Sequence, residues 1–240
     1  MSRNPVYAFG TRLDAILPYY GVVREEGEDD ATVRAMISAS MSARGAGSCD
    51  AIAEAVRKCE YVQDVKVYEN DTDSTDAKGI PAHSLAVVIE SGIGSQVAKA
   101  IMDLKAPGVG TYGSTHENIQ DEGGNTQSIY FSRTTTSRLN MYMTIRRLPG
   151  CDDSAVTAAV RNAVFKYINN QLKVAESLVV ARLYAVAYNV TPELAGTYAI
   201  QDIYGNIEGE STYVRDEIAC PWNSKLSILS SGGLTITFNS

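Results

Sequence analysis

Few residues in this chain are placed to do chemistry. His116-Glu117 opens like H-E-x-x-H, the helical spacing that sets two imidazoles one turn apart on a zinc ion with the glutamate as base. Gln120 stands at the second ligand position, and His83 is the only other histidine. Gly108-Val109-Gly110-Thr111-Tyr112-Gly113 matches G-x-G-x-x-G, whose glycines let a pyrophosphate approach a helix N-terminus. That site needs a strand before the glycines and a helix after them; here a helical stretch and Pro107 precede, and a polar run follows. Gly92-Ile93-Gly94 has the right flanks but carries Val97 in place of the third glycine. Asp71, Asp73 and Asp76 imitate a calcium loop, yet Asp76 replaces the turn glycine and Ala82 the bidentate glutamate. Cys49, Cys59, Cys151 and Cys220 form no C-x-x-C pair and read as reduced, buried thiols. No G-x-S-x-G elbow occurs, and the N-x-T sequons at Asn70 and Asn189 carry no meaning without secretion. The expectation is a protein that is not an enzyme, with no catalytic residue, cofactor or metal.

The elements that would position these residues follow from hydrophobic periodicity. An acidic run from Glu25 to Asp30 leads into a helix with Val33, Met36, Ile37 and Met41 on one face. Arg44 to Gly47 breaks it, and a second helix from Asp50 carries Ile52, Ala55, Val56 and Cys59, giving a helical hairpin. A strand through Val62, Val65 and Val67, a polar loop from Asn70 to Gly79, and the apolar run Leu85 to Ile89 come next; continuous apolarity predicts a strand covered on both faces. Val97, Ile101 and Leu104 mark a helix ended by Pro107 and Gly108. Thr111 to Asn125 is polar and Gly-rich, with Asp121 to Asn125 read as an exposed turn or an interdomain joint.

The second half opens on an amphipathic strand, Leu139, Met141, Met143 and Ile145 alternating with Asn140, Tyr142, Thr144 and Arg146. Asp152 and Asp153 then start a long helix with the stripe Val156, Val160, Ala163, Val164, Tyr167, Ile168 and Leu172. A shorter helix with Val179, Leu183 and Val186 follows, and strands are expected at Tyr198–Ile203, Leu226–Leu229 and Leu234–Phe238. The fold class is α+β: two small α+β domains, each a short sheet covered by helices. The division places an N-terminal extension at 1–30, a middle domain at 31–123 and a C-terminal domain at 124–240.

With 45% hydrophobic residues the chain can bury a core, and a net charge of -7 offers no general attraction for phosphate backbones or anionic lipid. Neither nucleic acid nor membrane is expected as a partner. The opening residues hold no apolar run of signal-peptide or membrane-span length, so folding in a cytoplasm is expected. Fourteen tyrosines against four phenylalanines and one tryptophan favour interface chemistry, because the ring packs while the hydroxyl hydrogen-bonds. Tyr112, Tyr142 and Tyr184 are the candidate interface positions, with capping of the core edge the alternative reading for any single tyrosine.

From Val65 to Gly113 several uncommon elements occur in order: Tyr68-Glu69-Asn70, the Asp71–Asp76 loop, Gly79-Ile80-Pro81-Ala82-His83-Ser84, a hydrophobic strand, Ala100-Ile101 with Lys105, and Gly108 to Gly113. This segment resembles the middle region of baseplate J-like proteins, and a weaker likeness covers roughly residues 20 to 240. Members usually carry a further N-terminal region, so a split, shortened or truncated version is expected. The resemblance implies a structural subunit of a contractile phage tail baseplate wedge, assembled in the host cytoplasm and located in the virion. Such a subunit would link wedges around the hub and transmit baseplate rearrangement to the sheath. Implied partners are other copies of itself in a ring, the lysozyme-like wedge protein, other wedge proteins and hub or spike proteins. A binding or scaffold subunit of a related injection or bacteriocin-like particle has nearly the same signature; a cell-wall-acting enzyme has no motif behind it. Under this reading Gly79 and Pro81 form a turn. His83 hydrogen-bonds locally at a strand start, and Gly108, Gly110 and Gly113 supply the unusual backbone angles of a tight interdomain loop.

Overall fold

The computed structural model describes residues 32–33, 48–121, 123–230 and 232–239. Ser48 caps the first complete helix, α1 (Cys49–Arg57), its hydroxyl accepting the Ala51 N–H at 3.1 Å, and the helix buries Ile52 and Val56. Strand β1 (Val62–Asn70) runs antiparallel to β2 (Ser84–Ser91). Helix α2 (Gly94–Leu104) follows, then the short strand β3 (Gly110–Tyr112) and the antiparallel hairpin β4 (Thr115–Gln120) and β5 (Thr126–Arg133). Central β2 pairs with β1 on one edge and, in parallel, with β3 and β5 on the other. Its residues Ser84 to Ile89 are all buried, as an uninterrupted apolar run demands. Leu85, Val87 and Ile89 join Ile129 and Phe131 against Ile52 and Val56 of α1 and Val97, Ala98 and Ile101 of α2.

The second layer pair is built on β6 (Thr135–Arg147), whose Leu139, Met141, Met143 and Ile145 are buried while the alternate Asn140, Tyr142 and Thr144 are half-buried and Arg138 and Arg146 exposed. Helix α3 (Asp153–Asn170) starts at Asp152, whose carboxylate accepts the N–H groups of Ser154 and Ala155, and lays Val156, Val160, Val164 and Ile168 on that strand's inner face. Then come β7 (Leu178–Val179), α4 (Arg182–Tyr188), α5 (Pro192–Ala195), β8 (Tyr198–Ile207), β9 (Glu217–Ile218), β10 (Ser224–Ser227) and β11 (Leu234–Asn239). One edge of β6 takes antiparallel β8; the other takes β10 and then β11, both parallel. Tyr198 is buried, stacks on Tyr188 at 5.4 Å and donates its hydroxyl to Ala187 O, fastening α4 to the sheet. The architecture is α+β, small sheets covered by helices.

Three local expectations change. The polar, Gly-rich stretch Thr111 to Asn125 holds β3 and β4, for which no strand was expected, and of the two readings of Asp121–Asn125 the turn is the one found, closing the β4–β5 hairpin inside the first sheet. The two hydrophobic clusters therefore change over between Phe131 and Leu139, beyond the expected boundary at 123. The stretch containing Val179 begins as a strand, β7, before α4. Most of the expected first helix of the hairpin, and the 1–30 extension, lie outside the described residues.

The two sheets are joined by a seam of specific contacts. Lys225 donates to both carboxylate oxygens of Glu90 at 2.8 Å, with both side chains about four-fifths buried. The Tyr68 hydroxyl donates to Trp222 O at 2.8 Å, its ring edge-on to the indole, and Asp64 accepts the Val174 N–H at 2.7 Å. Lys225→Met leaves the Glu90 carboxylate in the seam without its cation. Chemical denaturation should show a loss of roughly 1–2 kcal/mol, between the exposed and fully buried limits for an ion pair; an unchanged unfolding midpoint would show that the pair does not fasten the seam.

Burial pushes the Tyr198 phenol up from 10.0 to about 12. The fold favours the neutral phenol, so its contribution is complete below about pH 10 and is lost as pH rises through about 12. Tyr198→Phe strands the Ala187 carbonyl and should cost about 1 kcal/mol at neutral pH. In thermal melts the gap to the wild type should narrow above pH 10; a constant gap would contradict this titration.

Candidate interaction site

The loop between β1 and β2 is organised by one side chain, Asn70, which is 3% exposed at the end of β1. Its amide nitrogen donates to Ser74 O and Ile80 O at 2.8 Å and to Pro81 O at 3.0 Å, two hydrogens shared among three carbonyls. Its oxygen accepts from the N–H and hydroxyl of Thr72. Asp76 turns the same loop, one carboxylate oxygen accepting the N–H groups of Lys78 and Ile80. Ile80 is wholly buried. Nothing in periodicity marks Asn70 as the organiser; a polar residue closing a strand, followed by Asp and Thr, was the available signal.

Gly79 has φ 82° and Pro81 offers its carbonyl to Asn70. His83 stands at φ 50° just before β2, and its Nε2 lies 3.0 Å from Asp73 Oδ1. Both side chains are mostly exposed, so this pair contributes little. Among Gly108, Gly110 and Gly113, only Gly108 has a positive φ, 84°. The other two answer to close approach: a β-carbon on Gly110 would lie 2.7 Å from Ser84 Oγ, and one on Gly113 2.1 Å from the backbone carbon of Phe131. These glycines let β3 lie against β2 and β5 within one sheet, so the expected interdomain loop is an intra-sheet packing device.

The three candidate tyrosines do not form one patch. Tyr112 is half-buried in the first sheet, its hydroxyl 3.4 Å from where a β-carbon of Gly79 would sit. Tyr142 lies on the open face of β6, stacked on Tyr204 at 5.3 Å, with Tyr213 edge-on to both rings. Its hydrogen bond with Tyr213 raises the Tyr142 phenol. Arg215 covers Tyr204 at 5.0 Å and pairs with Asp202. Tyr184, on α4, is half-buried against the second core and near enough to Arg215 to help raise its affinity for protons, after the larger effect of Asp202. The ring faces are largely taken up by one another and by Arg215, so the cluster holds the 208–216 segment to the sheet; sequence spacing could not reveal Tyr204 and Tyr213 as its other members.

The chemical candidates are separated by the same geometry. His116 and Glu117 sit on β4, where neighbours point to opposite faces, rather than on a helix. His116 packs on Tyr130 with ring centres 5.1 Å apart, and the Glu117 carboxylate lies against Gly94 at the start of α2, where negative charge suits the helix dipole. Among the described residues no group of three His, Cys, Asp or Glu side chains is arranged to hold a metal ion. The four cysteines are free and half-buried rather than deeply buried, and burial raises each thiol, which disfavours the reactive thiolate. No family model matches the chain. Comparison with curated proteins gives no match.

Gly113→Ala forces a side chain into the Phe131 backbone and should destabilise by roughly 1–3 kcal/mol, the range for overpacking. Gly110→Ala meets the movable Ser84 hydroxyl and should cost less. Thermal unfolding of the two variants checks the order; equal losses would contradict a backbone limit confined to Gly113.

Proposed function

We propose that the chain is a structural subunit of a contractile tail baseplate wedge, present in several copies around a hub. It would connect neighbouring wedges and pass their rearrangement toward the sheath. The observation that carries this reading is the ordered series from Tyr68-Glu69-Asn70 through Gly79-Ile80-Pro81-Ala82-His83-Ser84 to Gly108–Gly113. These separate motifs are mutually dependent in space. Asn70 ties down the carbonyls of Ile80 and Pro81, Gly110 N–H bonds His83 O, and Tyr112 packs beside Gly79. Such a motif set is architectural: it fixes a loop and a three-strand junction, as a rigid element of a moving assembly requires.

The seam supports the same reading. Two α+β layers are held together by an ion pair, an aromatic contact and a carboxylate cap, as a force-transmitting subunit would require. The test is to tag the chain in cells making the particle, purify gently, identify co-purifying proteins and image the product. Ring or wedge assemblies containing sheath-linking and hub proteins are expected. A lone monomer from cells that make complete particles would contradict the proposal.

A further inference from the structure

Strand edges display unpaired backbone donors and acceptors, and stable proteins cover them or protect them with charge, proline or bulges. Most edges here are managed. β1 carries Asp64, Lys66 and Glu69, contains an irregular step between Val62 and Asp64, and is approached by Val174, whose N–H bonds Asp64. β4 carries His116 and Glu117. β8 carries Asp202 and is met near its end by the returning segment, Gly205 and Val214 exchanging both backbone bonds. On the β10 side, Ala175 N–H and the Cys220 thiol bond Ser224 O, and the Asn169 amide bonds both backbone groups of Ile228.

β11 is different. It pairs with β6 along one edge, and its other edge has no backbone partner among the described residues. Its sequence, Leu234-Thr235-Ile236-Thr237-Phe238-Asn239, has no charge, proline or glycine and is rich in strand-favouring types. Thr235, Thr237 and Asn239 are exposed; Ile236 and Phe238 pack on the second core but remain half-exposed.

We propose that this edge pairs with β11 of a second copy, antiparallel and centred on Ile236. The strand is complementary to itself in that register. Leu234 faces Phe238, Ile236 faces its own counterpart on the two-fold axis, and Thr235 faces Thr237. Every apolar side chain then meets an apolar one on the helix-covered face, and threonine meets threonine on the open face; a shift by one residue would set Thr against Phe and mix the faces. An isologous contact of this kind joins two four-stranded sheets into one and extends both cores across the axis. The choice of a second copy as occupant rests on the assembly reading, whereas the test needs only purified chain, so failure of pairing and failure of particle incorporation are scored separately.

Sedimentation of the full chain over rising concentration should show a monomer–dimer equilibrium. Thr235→Lys/Thr237→Lys places lysines opposite lysines and should weaken the dimer at least about tenfold, with circular dichroism and melting showing an intact fold. Thr235→Lys/Thr237→Glu places lysine opposite glutamate in the proposed register and should restore the dimer, keeping the test decisive if the first variant folds poorly. A wild-type chain that stays monomeric throughout overturns the proposal. So does a double-lysine variant that dimerises as the wild type does, or a lysine–glutamate variant that stays monomeric while folded.

Discussion

Residues Thr126 to Arg147 form an almost continuous stretch of extended chain, broken only at Thr134, and both sheets are built upon it. Extended backbone can be buried only if each N–H and C=O finds a partner, so the crossing point fixes how the sheets must lie. Thr134 N–H bonds Ile89 O in the first sheet, and one residue later Thr135 N–H bonds Asn223 O in the second. Once those bonds are made, the end of β2 and the approach to β10 are neighbours. Glu90 and Lys225, each beside one of them, then meet at 2.8 Å. The seam is thus a consequence of the shared ribbon, and Tyr68 with Trp222 and Asp64 with Val174 extend it.

The same accounting explains the motif-rich loop. Its carbonyls at Ser74, Ile80 and Pro81 converge at the end of β1, where a single amide side chain donates to all three; the Asp76 N–H adds a second bond to Ile80 O and the Thr72 hydroxyl one to Ser74 O. An aspartate there would offer no donor and would add charge beside three oxygens, so the position demands asparagine. Histidines that looked available for catalysis are on the surface, one beside Asp73 and one on Tyr130.

Much of the fold was legible because its signals are local. The Asp152 cap, the Val156–Ile168 stripe, the alternation of Leu139 to Ile145 and the continuous apolarity of Leu85 to Ile89 all report their own surroundings. β4 was not legible: Thr-His-Glu-Asn-Ile-Gln holds one apolar residue, and its strand character comes from pairing with β5 and packing beside α2. The glycines were recognised as necessary, but whether for a positive φ at Gly108 or for a neighbouring backbone at Gly113 depends on a contact with Phe131, far along the chain, or on none at all. Tyr142 was visible as an outward residue, while Tyr204 and Tyr213 reach it only through the β6–β8 register and the returning segment.

A chain whose sequence signature encodes a rigid junction suits a subunit that works by shape and contact. The most direct measurement compares particle formation when cells lacking the chain are supplied with Asn70→Asp or with the paired variant His83→Ala/His116→Ala. The account predicts that Asn70→Asp yields no assembled baseplates, whereas the double-histidine variant yields particles of normal form and contractile function. Normal particles with Asn70→Asp, or well-formed particles that lose function with the double-histidine variant, would contradict the claim that the motif is architectural.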